Sequence, residues 1–193
     1  MKLDDYLAKP PRRQPKRGEI GVASPWLDFY ELKLSGAKVH IVDPGYAPID
    51  SEGCLVKLKR GAYGIECKVM AFGADLRIAG LRMVLSGSKS ARGKRIGETG
   101  TDTARIAVYD YAAVCKAWQD EGHASFNILK DAMQGGREHT IAVLDRTSRT
   151  EVCLVHSGFG DGTFEVHELK DGNVRAGFEV TFISPQTKYP FGA

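Results

Sequence analysis

The amino-acid sequence predicts a mainly β fold in which two antiparallel sheets pack like a sandwich. Two short helices are expected between the halves of an internally duplicated unit. Three observations lead to this prediction. Short apolar segments recur along most of the chain between Pro, Gly and Asp, as in antiparallel strands. The apolar period becomes helical only at residues 110–135. The apolar and glycine pattern of the first half then returns in the second.

Size and composition fit one folded domain. The chain has 193 residues, of which 42% are hydrophobic and 26% are charged, and this excludes a mostly disordered chain. Its four cysteines form no CxxC pair, which indicates reduced core residues. The N-terminus is charged, and no apolar window reaches the roughly 18 residues that a membrane span needs. We therefore expect a cytoplasmic protein without membrane contact.

Residues 1–20 form a basic, proline-rich N-terminal tail ahead of a single β-rich domain over residues 21–193. A helical turn or two fits residues 1–8. Residues 9–18 hold three prolines and five cations, which favour an extended tether. The rest of the chain is nearly neutral, which argues against nucleic-acid binding apart from the basic segment Lys9 to Arg17. That segment is either a solvated linker or an arm for phosphate or a partner.

Period-two patterning predicts strands on both sides of a helical insert at residues 110–135. The predicted strands cover residues 26–34, 38–43, 53–59, 63–71, 75–85 and 103–109, and then 140–145, 151–157, 163–169 and 174–183. Asp110 can cap a first helix over residues 111–121, and Ser125 can cap a second over residues 126–134.

An internal repeat relates residues 38–86 to residues 140–184. Ile41-Val42-Asp43 is matched by Val143-Leu144-Asp145, the glycine-led segment 61–65 by 162–166, and segment 79–83 by 176–180. The matched positions come in the same order, with gaps only at turns. Two similar sheets with approximate two-fold symmetry are the expected result.

The densest motif is the segment from Ser157 to Gly162, with the sequence SGFGDG. One interpretation is a hairpin turn, since Asp-Gly favours tight turns. The other is a nest of backbone N–H groups for an anion, with Asp161 placed for a hydroxyl or a cation. Ser157, Gly158, Gly160 and Asp161 are the candidate binding residues. A dinucleotide fingerprint is excluded because no helix follows.

Two segments that come before this motif in the chain are predicted to be loops. Residues 87–97 resemble a phosphate loop only superficially, because the spacing is off by one and Arg95 stands where a Ser or Thr is needed. A mobile basic surface loop fits better. Residues 97–103 bring Glu98, Thr101 and Asp102 together, either as a carboxylate pair for acid–base work or as local partners of backbone N–H groups.

No other pattern indicates catalysis. Cys153 and His156 fall on opposite faces of one strand, and Glu165 and His167 fall on its neighbour's solvent face. No zinc or serine-hydrolase motif occurs, so we expect neither a metal site nor a cofactor. Three aspartates follow apolar pairs: Asp43, Asp110 and Asp145. Each can end a strand, or the three together can line one acidic rim at equivalent strand ends.

The chain resembles a largely bacterial, uncharacterised family, domain of unknown function 4241. The resemblance rests on S-G-x-G-D-G-x-[YF]-x-V at residues 157–166, a following Asp171-Gly172 turn and a final apolar strand. A weaker match covers residues 61–65 and 77–83. Glu98 departs from the family pattern, in which an aspartate precedes the Gly-Thr pair. The resemblance implies no activity, but it points to Ser157, Gly160, Asp161 and Thr101.

Three classes of function remain at this point. The first is a non-enzymatic binding protein, for example an immunity-like antidote that occupies a partner protein. The second is a small-molecule or anion binder that uses the loop between Gly158 and Gly162. The third is a metal-assisted hydrolase that uses Glu98, Asp102 and Asp161.

Overall fold

A computed structural model describes residues 1–9, 13–48 and 52–191. Within these residues it contains two α-helices and eleven strands. The elements are α1 (Leu3–Leu7), β1 (Val22–Leu34), β2 (Lys38–Val42), a 3-10 turn (Pro44–Tyr46), β3 (Cys54–Lys57), β4 (Gly61–Phe72), β5 (Asp75–Leu85), β6 (Ala91–Thr101), β7 (Arg105–Asp110), α2 (Tyr111–Gln134), β8 (His139–Asp145), β9 (Thr150–His156), β10 (Gly162–Asp171) and β11 (Val174–Thr181).

The strands form two antiparallel sheets that share one core. The six-stranded sheet has the order β1-β4-β5-β11-β10-β6, and the five-stranded sheet has the order β3-β2-β7-β9-β8. Tyr63, Ile65 and Phe178 from the first sheet pack in one buried cluster with Ile41 and Val155 from the second. The sandwich-like prediction is confirmed, and burial of these apolar faces stabilises it.

Helix α2 covers the outer face of the five-stranded sheet, where Val114 and Leu129 pack against Leu154. The predicted cap is confirmed, since Asp110 Oδ1 accepts from the backbone N–H groups of Ala112 and Ala113. The prediction of two helices is confirmed: α2 consists of two helical segments that meet at a kink at Glu121, where φ is −143° and ψ is 47°.

Ser125 does not cap a helix. Its buried hydroxyl donates to the Ala117 carbonyl at 3.4 Å, inside α2. Among the described residues, no helix is both long and apolar enough to cross a bilayer.

The predicted loop at residues 87–97 is largely strand. Residues from Ala91 onward form β6, which pairs with β10 at the edge of the six-stranded sheet. Only Thr99 and Thr101 of this strand are buried, while Arg92 and Arg95 form ion pairs on the outer surface. The strand was missed because its buried face carries threonine rather than large apolar side chains.

The N-terminal segment packs along the domain instead of extending from it. Leu3 of α1 is buried, the Ala74 N–H donates to the Arg13 carbonyl, and the Gly18 N–H donates to the Tyr189 carbonyl. Residues 10–12 of the predicted arm lie outside the described residues.

The cysteines match the expectation of core thiols, since Cys54, Cys67 and Cys153 are buried and all four are unpaired in the described chain. Burial raises the pKa of the Cys67 and Cys153 thiols well above the usual range. Both side chains therefore stay protonated and unreactive at neutral pH.

Gly177 allows β11 to approach β5 closely. A Cβ at this position would lie 1.8 Å from the Met83 backbone carbonyl oxygen. We expect Gly177→Ala to lower the free energy of unfolding by about 3 kcal/mol, measured by urea denaturation, because the two strands must separate. Gly64→Ala is the control, since its nearest neighbour atom would lie at 3.9 Å. Equal stability of the two variants would contradict the close approach.

Candidate binding site

The glycine-rich loop joins β9 to β10 and is held by hydrogen bonds from Ser157 to two backbone carbonyl groups. The Ser157 N–H donates to the Ala104 carbonyl at 3.1 Å, and the Ser157 hydroxyl donates to the Gly160 carbonyl at 2.7 Å. Gly158 has φ +72°, and a Cβ there would lie 2.7 Å from Ile183. These contacts fit the turn interpretation of the motif.

Asp161 links this loop to the turn between β6 and β7. Its Oδ1 accepts from the Ala104 N–H at 3.0 Å, and Ala104 has a positive φ of 56°. Residues in this left-handed region need support from their surroundings. The carboxylate therefore stabilises a turn.

Thr101 and Asp102 belong to a network around Asp43, which is 1% exposed. Asp43 Oδ2 accepts from the Thr101 hydroxyl at 2.7 Å and from the N–H groups of Asp102 and Thr103 at 2.7 and 2.9 Å. Its Oδ1 accepts from the Gly45 N–H at 2.6 Å. From its place after an apolar pair, Asp43 was expected to end a strand or to line an acidic rim, and its role as the acceptor of this network was not predicted.

A polar cleft of about 310 Å³ lies beside this network. At its rim, the Tyr46 hydroxyl donates to Asp102 Oδ2 at 2.9 Å. The residues that line the cleft are Val42, Asp43, Tyr46, Glu52, Gly53, Gly100, Thr101, Asp102, Gly162 and Thr163.

The predicted carboxylate pair is not assembled. Glu98 forms an ion pair with Arg95 on the outer surface, whereas Asp102 accepts from Tyr46. The structure thus groups Ser157, Gly158, Gly160, Asp161, Thr101 and Asp102 around one end of the sheets and leaves Glu98 outside that group.

Ionisable side chains cluster on the other side of the glycine-rich loop. Arg105, only 4% exposed, lies opposite His156 in the β7–β9 register, and its Nη1 donates to the Arg137 carbonyl at 3.0 Å. Glu138 precedes β8, and its backbone carbonyl accepts from the His156 N–H at 2.8 Å. Nearby, Asp75 holds Arg77 and accepts from the Tyr189 hydroxyl.

This burial shifts the protonation of the cluster. Burial raises the pKa of Glu138 above its usual value, against the pull of Arg77 and Arg105. Burial, with help from the charges of Arg105 and Arg77, lowers the pKa of His156 to about 4. His156 is therefore neutral at pH 7.

A second concave surface lies at the opposite end of the five-stranded sheet. This basic groove has a volume of about 290 Å³ and a largely apolar floor. Its lining residues are Ala37, Lys38, Lys57, Leu58, Lys59, Val174 and Arg175. Arg175 is held by Glu168 at 3.1 Å, but the three lysines form no ion pair within the described chain. The groove was not predicted from the sequence because its residues come from three distant segments.

Among the described residues, no group of three or more His, Cys, Asp or Glu side chains is placed to share a metal ion. Comparison with family models, curated proteins and solved structures finds no match to this chain. The family resemblance described above therefore stays a prediction.

Asp161→Ala should lower the free energy of unfolding by about 1 kcal/mol, because the Ala104 N–H loses its acceptor. Asp161→Asn keeps an amide oxygen at this place and should retain most of the stability. Urea denaturation of both variants measures the difference. Unchanged stability of Asp161→Ala would show that the carboxylate has no structural role and is free for a ligand.

His156 makes folding sensitive to acid. Its folded pKa of about 4 lies below the unfolded value, so its contribution to stability is full above about pH 6.5 and is lost as the pH falls toward 4. We expect wild type to lose more stability than His156→Gln between pH 7 and pH 4.5 in urea titrations. Identical losses would contradict the neutral, half-buried imidazole.

Proposed function

We propose that this protein is a non-enzymatic binding domain that attaches to another protein through the basic groove. One observation carries the proposal. Lys38, Lys57 and Lys59 surround an apolar floor and have no carboxylate partner within the described chain. A surface that is apolar at its centre and charged at its rim matches the general composition of protein interfaces. The unpaired cations favour a partner with acidic side chains.

The fate of the predicted catalytic residues also supports a binding role. Asp161 accepts from the Ala104 N–H, and Asp102 accepts from the Tyr46 hydroxyl. Glu98 lies in a separate ion pair with Arg95. A metal-assisted hydrolase would need these carboxylates to converge on one point. An immunity-like antidote would need only a complementary surface.

We further infer that the domain arose by duplication of a five-stranded unit. The strand order relates β1–β5 to the set β6, β7, β9, β10 and β11, with α2 and β8 as an insertion in the second unit. The central antiparallel pairs, β5 with β11 and β2 with β7, lie where a two-fold axis would pass. These units differ from the halves 38–86 and 140–184, because β2 corresponds to β7 and not to β8.

Irregularities at matching positions support the duplication. The bulge that skips Phe29 in β1 recurs at Ile96 in β6, and the register shift after Lys68 in β4 recurs after Leu169 in β10. Bulges disrupt a ladder locally, so their recurrence is a specific signal. Strands β3 and β9 also share a sequence, Cys54-Leu55-Val56 and Cys153-Leu154-Val155.

Charge reversal tests the proposed function. The triple variant Lys38→Glu, Lys57→Glu and Lys59→Glu is compared with Lys94→Glu, Lys116→Glu and Lys130→Glu, which changes the net charge equally at exposed lysines elsewhere. A random peptide library on phage is selected on each protein. Wild type and the control should enrich peptides with Asp or Glu, and the groove variant should bind them at least about tenfold more weakly. Absence of enrichment on wild type, or equal binding by the groove variant, would contradict the proposal.

A further inference from the structure

Strand β8 shows how one edge of the five-stranded sheet is completed within the chain. It pairs antiparallel with β9, and Glu138 immediately precedes it. The pairing brings the Glu138 carboxylate within electrostatic reach of Arg105. Arg105 and His156 face each other in the register of β7 and β9. In this half of the molecule, the added strand therefore places a carboxylate beside the Arg105 cation.

The other edge of the same sheet has the same features without the added strand. Strand β3 is the edge, and no described strand pairs with its outer side. Lys38 and Lys57 face each other in the register of β2 and β3, as Arg105 and His156 do in the other half. The edge sequence is again Cys-Leu-Val, at residues 54–56. Within the described residues, no extended segment that carries a carboxylate pairs with β3.

The backbone of β3 is oriented to receive such a segment. The Leu58 N–H donates to the Ala37 carbonyl, so by antiparallel alternation Val56 and Cys54 bond to β2. The N–H and C=O groups of Leu55 and Lys57 then point outward. In β9 the corresponding residues are Leu154 and His156, and the His156 N–H does bond to Glu138. At β3 the Lys57 carbonyl has only a marginal contact, with Arg175 Nη1 at 3.5 Å.

We propose that β3 accepts an antiparallel strand from a partner protein, and that this strand begins with Asp or Glu. The acidic residue lies between Lys38, Lys57 and Arg175, and the segment adds a sixth strand to the sheet. This inference rests on the proposed function, because it names the occupant of the basic groove. Strand addition combines main-chain hydrogen bonds with side-chain pockets, so it binds extended segments selectively.

The pairing of β8 with β9 also predicts the side-chain pattern of the partner segment. In β8 the first and third residues turn inward: the His139 ring packs edge-on against Phe29 at 4.7 Å, and Ile141 packs against the core. The counterpart of Phe29 is Ile96, which is also packed against the core. The partner segment therefore carries its acid at the first position and apolar or aromatic residues at the second and fourth.

The test uses the intact protein and a capped synthetic peptide with the sequence of residues 138–144, EHTIAVL. Binding is measured by fluorescence anisotropy and by hydrogen exchange of the Leu55 and Lys57 amides. We expect the peptide to bind and both amides to become protected. Replacing the first Glu of the peptide by Lys should weaken binding at least about tenfold. N-methylation at the third peptide residue should do the same, since that N–H faces β3, whereas N-methylation at the fourth should have little effect.

Two protein variants complete the test. Leu55→Pro removes an outward N–H without removing a bond to β2, and Leu55→Ala is its side-chain control. Only Leu55→Pro should abolish binding. If EHTIAVL does not bind, or if the two N-methyl peptides bind equally well, strand addition is overturned. The proposed binding function of the groove is tested separately, by the phage selection. Binding that survives Lys57→Glu would show that the peptide replaces β8 on β9, and this also overturns the inference.

Discussion

Two buried carboxylates at opposite ends of the central strand pair hold the halves of the molecule together. Asp43 directly follows β2 and accepts from the N–H groups of Asp102 and Thr103, whereas Asp110 is the last residue of β7 and accepts from those of Ser35 and Gly36. Each carboxylate therefore satisfies the turn that enters the other half. An unpaired buried N–H costs about 1–3 kcal/mol, so this exchange favours one relative position of the two units. The same two side chains begin the 3-10 turn and α2.

The elements that could be predicted from the sequence are those whose signal lies within a few adjacent residues. Strand β5 was predicted with its observed bounds, and the Asp110 cap was identified, because alternation and capping are visible in a few adjacent residues. Strand β6 was not, since its buried face carries Thr99 and Thr101 and its apolar pattern is weak. The break between two helical segments was predicted from Gly122 and falls at the neighbouring Glu121, whereas the expected cap at Ser125 was wrong because that hydroxyl bonds inside α2.

The candidate sites show a similar division. The glycine-rich motif was found because its residues are contiguous, yet its polar atoms serve the turn at Ala104 and the loop itself. The basic groove combines lysines from two adjacent strands with Arg175 from the other sheet, a combination that only the strand order reveals. The internal repeat stays a prediction: the sequence pattern matches β2 with β8, since both lead to an aspartate, whereas the proposed duplication matches β2 with β7.

Strand β8 makes the two edges of the five-stranded sheet different from each other. Without β8 the sheet would end in β3 and β9, which share the sequence Cys-Leu-Val, and each copy could then join two neighbours through equivalent edges. Contacts of that kind continue without closure and build fibres. Because β8 covers β9, only β3 presents this sequence at an edge of the sheet, and the other edge is β8, which has a different sequence. The proposed partner strand therefore has one Cys-Leu-Val edge to pair with on each chain.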